Sequence, residues 1–426
     1  MSPASSSAGA IALVDCNNFY CSCERVFQPA WENRPLAVLS NNDGCIIARS
    51  QELKAAGIPM GAPYFQYRQP LAELGAVVVS SNYALYGDMS ARVMATLAPF
   101  TPRLEIYSID EAWLELGDVP GAELETSARA IVATVKRHTG IPVSVGVGPT
   151  KVLAKVANRV CKARGLPGQA WVLPRGPALD AVLDGVAVGD IWGIGQRWGA
   201  RLQALGIATA RQLRDADRPW IARRFGAVVT RIVFELRGIR CVADADDSAK
   251  QQIIASRSFG SRVSAKGPLL QAVASHAARA GEKLRRQGSL CGALQVFIHS
   301  SRHDEAPYAP SALVPFAVPT ADTRRLVAAA RAGVEQLYRP GPRYAKAGVM
   351  LLDLSPAERG QRGWLDDGDT PRSRALMALV DEVNRRYGRN ALFFAGQGCG
   401  AQPWHLRRQR VTPRYTTCWG ELPTVG

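Results

Sequence analysis

Three carboxylates stand at the ends of apolar runs, and they set the chemistry this chain can do. In Ile106-Tyr107-Ser108-Ile109-Asp110-Glu111-Ala112-Trp113-Leu114-Glu115-Leu116, β-branched and aromatic residues flank two adjacent acids, which is strand composition. Ile11-Ala12-Leu13-Val14-Asp15 ends a second such run on a lone acid. Neighbouring side chains of a straight strand point to opposite faces. Asp110 and Glu111 therefore serve one site only if the chain bends between them, as at a hairpin tip. Carboxylates at the edge of an apolar sheet cost free energy unless something cationic neutralises them. A hard cation meets that need, because Mg²⁺ takes one or two carboxylates plus substrate phosphates. Asp-Glu pairs are also common in turns and on surfaces, so the pair takes its meaning from the rest of the chain.

The elements that must position these acids follow from the local pattern. After the first strand, Asn17-Asn18 and Ser22 carry turn and cap chemistry, so Phe19 and Tyr20 start a helix over the strand end. Leu36 to Leu39 is a strand, Asn41 to Gly44 a turn, and Ser50 an N-cap for a two-turn helix that carries Lys54 and closes at Gly57. From about 76 to 170 the pattern is α/β: a strand at Val77–Val79, a helix at Tyr86–Leu97, the Asp110-Glu111 hairpin, a helix at Glu123–His138 and a strand at Pro142–Gly148. Thr150 then caps a helix carrying Lys151, Lys155 and Lys162. A strand, a Gly turn and a helix N-terminus can cradle phosphate, although the order of a Walker A loop is absent. Residues 188 to 240 read as helix-hairpin-helix, with Trp192-Gly193-Ile194-Gly195 as the turn. Glycines there let backbone N–H groups approach a DNA phosphate.

Bulk properties narrow the partner. The 426 residues exceed one ordinary core and imply about three or four domains. The net charge of +16 favours a polyanion. No apolar run approaches the ~20 residues that span a bilayer, so nucleic acid is favoured over membrane. Residues 250–302 hold nine Lys or Arg against one acid, which fits a surface that tracks a phosphate backbone. Nine scattered cysteines without paired Cys-x-x-Cys spacing suit free thiols in a reducing cytoplasm and not a zinc site. The Ser/Ala-rich residues 1–10 have no secretory pattern and are expected to be a disordered leader.

With the acids placed, the chain resembles the Y-family translesion DNA polymerases, in their UmuC-like branch. The carrying motifs are Val14 to Glu24, Leu39 to Ser50, Tyr107 to Glu111, Ser144 to Lys151 and Tyr415 to Trp419. The resemblance implies an α/β right-hand polymerase with an α+β palm at 11–24 and 76–170 and fingers at 25–75. A helix-hairpin-helix thumb at 171–243, a little finger at 248–354, and a linker with a basic tail at 355–426 would complete it. It implies error-prone, template-directed translesion synthesis in the SOS response by two-metal nucleotidyl transfer. Asp15, Asp110, Glu111 and the backbone of Cys16 would hold two Mg²⁺ ions. Phe19, Tyr20, Lys54 and Lys162 would meet the incoming nucleotide, with Tyr20 as the steric gate against ribose. Gly193, Gly195, Arg257 and Arg262 would meet DNA. Implied partners are primer-template DNA, dNTP, a processed UmuD-type subunit, a RecA filament and a sliding clamp, with no membrane and a cytoplasmic, nucleoid-associated location. The clamp would dock on Gln361-Arg362-Gly363-Trp364-Leu365, although Arg362 departs from the usual apolar residue. Gln51 and Lys54 stand where many Y-family members carry Tyr and Arg, which replaces a bidentate grip by a point charge. Two alternatives are a catalytically inert DNA-binding polymerase-like subunit, expected to have lost an acid or Tyr20, and a metal-dependent nuclease, which would not need the finger and little-finger segments.

Overall fold

The computed structural model describes residues 9–117, 119–164, 170–243, 249–359 and 368–422. The leader through residue 8, the acidic Asp244–Asp247 and the clamp-like Gln361–Leu365 lie outside the described residues. The chain forms two compact units: Met1–Ser40 with Gly44–Asp246 and Gln409–Gly426, and Asn41–Asp43 with Asp247–Arg408.

In the first unit the elements are β1 (Ala10–Cys16), α1 (Phe19–Phe27), β2 (Leu36–Leu39), β3 (Ile46–Arg49), α2 (Gln51–Ala55), α3 (Tyr64–Glu73), β4 (Val77–Ser80), α4 (Tyr83–Leu97), β5 (Leu104–Ile106) and β6 (Glu111–Leu116). There follow α5 (Leu124–Thr139), β7 (Val143–Gly148), α6 (Lys151–Ala163), β8 (Ala170–Val172), α7 (Pro177–Asp184), α8 (Gln196–Gln203), α9 (Ala210–Asp215) and α10 (Arg218–Leu236). The main sheet has the order β5-β6-β1-β7-β8, so the strand ending in Asp15 is central. A smaller sheet, β3-β2-β4, carries the segment with Lys54.

Alternation along β1 sorts the core. Ala12, Val14 and Cys16 join the large cluster with α1, α4 and α5, while Ile11 and Leu13 pack on the other face with Trp113 and Ala154 of α6. The period of two therefore puts Asp15 on the α6 face. Gly146 and Gly148 let α6 lie directly on β7. A Cβ at Gly146 would overlap the Asn158 amide nitrogen and the Ala154 carbonyl oxygen. Those glycines thus serve helix–strand contact, and the expected phosphate cradle is not free. The α6 N-terminus already holds a carboxylate, because buried Glu235 of α10 accepts from the Val152 amide at 3.2 Å. Ser50 takes the N-cap position of α2 as expected, but its hydroxyl accepts from the Leu36 amide at 3.0 Å and makes no cap bond to the helix.

The second unit contains β9 (Ile253–Val263), α11 (Lys266–Arg286), β10 (Ser289–Ser300), β11 (Ser311–Thr320), α12 (Thr323–Leu337), β12 (Tyr344–Pro356) and α13 (Pro371–Tyr387). Its antiparallel sheet runs β11-β10-β12-β9. Within the segment read as linker and basic tail, Pro371–Tyr387 forms the helix α13. Arg285 of α11 grips Asp381 of α13 with two bonds of 2.7 Å, and the buried Met377 sulfur accepts from the Thr323 amide at 3.3 Å.

Candidate active site

The antiparallel ladder sets Asp15 directly opposite Glu111, so both side chains leave the same face of the sheet. Asp110 sits just before β6, in the bend the sequence required. The bend is built by Ser108, whose hydroxyl accepts from the amides of Asp110 at 3.2 Å and Glu111 at 3.1 Å and donates to Asp110 Oδ1 at 2.6 Å. The Asp110 carbonyl then accepts from the Cys16 amide at 2.8 Å, which locks the bend against the end of β1.

Helix α6 overlooks these acids through lysines seven residues apart. Lys162 Nζ lies 2.5 Å from Asp15 Oδ1, and Lys155 Nζ lies 2.8 Å from Glu111 Oε1. Lys155 is also faced by the rings of Tyr107, 5.2 Å from its centroid, and Trp192, at 5.7 Å. Lys151 of the same helix is committed elsewhere: it is buried against Glu105 Oε2 at 2.5 Å. Burial raises the Asp15 carboxyl to about 6, Lys162 draws it down, and the nearby charges of Glu111 and Asp110 push it up again. Among the described residues no three His, Cys, Asp or Glu already form a metal cage. The donors nevertheless fit a hard cation: three carboxylates on two adjoining strand ends, crowded enough to perturb one another.

The remaining expected residues divide clearly. Tyr20 is half-buried on α1 and stacks on Tyr86 of α4, with centroids 4.4 Å apart and planes 15° apart. Burial, then the charges of Tyr83 and Asp110, push its phenol up to about 12. Phe19, expected to meet the nucleotide, is instead packed in the core of the first unit and only 3% exposed. Lys54 is exposed on α2, and its ammonium is held low by partial burial and by the charges of Lys162 and Arg49, with Asp15 opposing. The two lysines expected to meet the nucleotide are thus mutually repelling cations beside one carboxylate.

Gly193 adopts φ +89°, the left-handed turn, whereas Gly195 precedes α8 in extended geometry with open space where a Cβ would stand. In the second unit, Arg262 pairs with Asp304 at 2.6 Å. Arg257 lines a groove of about 1300 Å³ with Arg279, Lys283 and Arg389. Ser108, Lys155 and Trp192 were not singled out by sequence for this site. A Ser two residues before an Asp is a known turn-former, and the spacing of Lys151, Lys155 and Lys162 on one helix gave the other available signal.

The fold is that of the Y-family DNA polymerases. A Y-family DNA polymerase chimera of Dbh and Dpo4 superposes with a TM-score of 0.66 at 19% identity, covering 82% of this chain and 99% of that one. The insertion ternary complex of Dbh DNA polymerase gives 0.54 at 20% identity, covering 82% and 99%. Within that class the chain belongs to the impB/mucB/samB family: the family model matches residues 14–159, and the model of the family's C-terminal domain matches 250–363. Residues 374–425 match a domain of unknown function. Protein UmuC of Salmonella typhimurium is 42% identical over 97% of this chain and 99% of its own length. Protein MucB of Escherichia coli is 41% identical over 97% and 98%. DNA polymerase IV of Brucella melitensis is 28% identical over 90% and 84%. The chain is accordingly a UmuC-like, DNA-directed DNA polymerase of the translesion kind, a nucleotidyltransferase that uses DNA, dNTPs and a divalent metal.

Proposed function

We propose that Asp15, Asp110 and Glu111, with the Cys16 backbone carbonyl, hold two Mg²⁺ ions at the reacting centre of this polymerase. Bound there, the ions would supply a lowered pKa for the primer 3′-hydroxyl and countercharge for the leaving pyrophosphate. The observation that carries the assignment is the opposed pair Asp15 and Glu111, with Asp110 fixed beside them by Ser108. Lys162 and Lys54 take the triphosphate: two cations that repel each other without an anion are relieved when one binds between them. Tyr20 is the gate under the sugar. A flat ring there leaves no volume for a 2′-hydroxyl, and overpacking of this kind costs about 1–3 kcal/mol, roughly ten- to a hundred-fold in selectivity.

DNA affinity comes from basic surfaces away from the acids. The open backbone at Gly195 suits a template or primer phosphate, and the Arg257 groove adds charge in the second unit. Arg262 contributes only if DNA competes with Asp304 for it. A processed UmuD-type subunit and a RecA filament complete the active assembly, and Gln361–Leu365 recruits a sliding clamp. The enzyme works at the nucleoid, where its DNA lies; among the described residues no helix is long and apolar enough to cross a membrane. All three acids and Tyr20 are in place, which argues against an inert subunit.

The test is steady-state primer extension by Lys54→Ala and Lys162→Ala. The apparent KM for dNTP should rise far more than DNA binding weakens. A fall in DNA affinity alone would move both lysines to the template track.

A further inference from the structure

Residues 410–415 do not trail from the surface; they are built into the first unit behind Tyr20. The Ser80 amide donates to the Arg410 carbonyl at 3.0 Å, and the Ser80 hydroxyl accepts from the Arg410 amide at 3.0 Å. The side-chain amide of buried Asn82 donates to the Thr412 carbonyl at 3.0 Å, the Thr412 hydroxyl at 3.1 Å and the Pro413 carbonyl at 3.0 Å. The same Asn82 caps α4, accepting from the Leu85 amide at 3.3 Å. Tyr415 is 5% exposed, stacks on Phe27 of α1 at 4.8 Å and 8°, and accepts from Gln28 Nε2 at 2.8 Å.

One thread runs from this segment to the gate. The Thr412 hydroxyl donates to Glu24 Oε1 at 3.2 Å. The hydroxyl of Tyr86 donates to the same oxygen at 2.6 Å. Tyr86 is fully buried, and its ring is the surface on which Tyr20 stacks. Glu24 is itself fully buried, and its second oxygen has no hydrogen-bond partner among the described residues, so one carboxylate oxygen joins α1, α4 and the C-terminal segment.

We propose that residues 410–415 are a positioning strap: Thr412, acting through Glu24 and Tyr86, fixes the backstop of Tyr20 and so sets how strictly ribonucleotides are excluded. The inference rests on Tyr20 being the sugar gate. Exclusion by volume works only if the excluding ring cannot retreat, because the cost of overpacking depends on how far the surroundings relax. Tyr20 is backed by a ring pinned at its hydroxyl, and the pin is held by the strap. Burial raises the Glu24 carboxyl to about 7 while the Tyr86 and Thr412 hydroxyls draw it down. The loss of one hydroxyl is therefore felt by the other. The strap falls within the 374–425 segment that matches a domain of unknown function, and this role would be one reason for its presence in a polymerase.

The test is single-nucleotide insertion of dNTP and rNTP by the full-length protein and by Thr412→Val, Thr412→Ser and Tyr20→Ala, with melting curves for each. Val keeps the shape of Thr but cannot donate; Ser can. Thr412→Val should lower the dNTP-to-rNTP ratio of kcat/KM by roughly three- to ten-fold, the effect of about one hydrogen bond. It should do so by admitting rNTP, with dNTP insertion retained, and Thr412→Ser should restore the ratio. If Thr412→Val does not fold, Tyr86→Phe cuts the same thread at its other end and should give the same loss of selectivity. Selectivity unchanged in a folded Thr412→Val or Tyr86→Phe, while Tyr20→Ala loses it, overturns the strap and leaves the gate standing. Selectivity unchanged in Tyr20→Ala overturns the gate itself, and the strap with it.

Discussion

Glu24 makes a prediction whose size follows from its surroundings. The carboxyl is fully buried in the first unit and is raised from an ordinary 4.5 to about 7 by desolvation, with the Tyr86 and Thr412 hydroxyls opposing. The folded state thus holds the proton more tightly than the unfolded chain does. The stability this confers is complete below pH 4.5 and is lost as pH rises through about 7. At about 1.36 kcal/mol per pH unit, most of that loss falls between pH 5 and 8 and amounts to about 2–3 kcal/mol. The ionisable groups that face Glu24 do not charge in this window: burial and the Glu24 charge push the Tyr86 phenol up, and burial lifts the thiols of Cys21, to about 12, and Cys23. Glu24→Gln keeps an acceptor for both hydroxyls and removes the titration. Urea unfolding of the two proteins at pH 5 and pH 8 should show the variant gaining about 2–3 kcal/mol on the wild type over that interval. A difference between them that does not change with pH would refute the reasoning.

Other outcomes follow from the same geometry. Lys162→Met removes the cation that draws Asp15 down, so the Asp15 carboxyl should rise above about 6 and divalent-ion binding should fail at a higher pH than in the wild type; calorimetric titration across pH 5–8 reads this directly. Gly146→Ala places a methyl into the backbone of α6. It should cost at least about 1–3 kcal/mol in denaturant unfolding and depress extension, because α6 carries Lys155 and Lys162 to the acids. A peptide spanning Gln361–Leu365 should bind a sliding clamp in calorimetry through Trp364 and Leu365, and no heat of binding would end that assignment.

Much of the site was legible because periodicity fixes faces. Asp15 ends a strand whose alternation decides its side of the sheet, and the bend between Asp110 and Glu111 follows from two acids having to share one site. The start of α1 at Phe19 and the turn at Gly193 were likewise written in local chemistry. What escaped depended on contacts across sequence. Nothing near Gly146 indicates that a helix backbone will press on it, and nothing near Thr150 indicates that Glu235 will fill the helix N-terminus. Lys151, Lys155 and Lys162 look alike in sequence, yet one is buried against Glu105 and two face the acids. The anchoring of Thr412 was illegible for the same reason: it finds Glu24 only after the chain has folded back.

The central claim is that the three acids perform the chemistry while the basic surfaces bind DNA. It is tested most directly by Asp110→Asn and Glu111→Gln in one paired measurement, divalent-dependent primer extension beside primer-template affinity by fluorescence anisotropy. Each variant should lose extension while holding DNA nearly as well as the wild type, since neither acid belongs to the phosphate-binding surface. Near-normal extension by either variant would contradict the account.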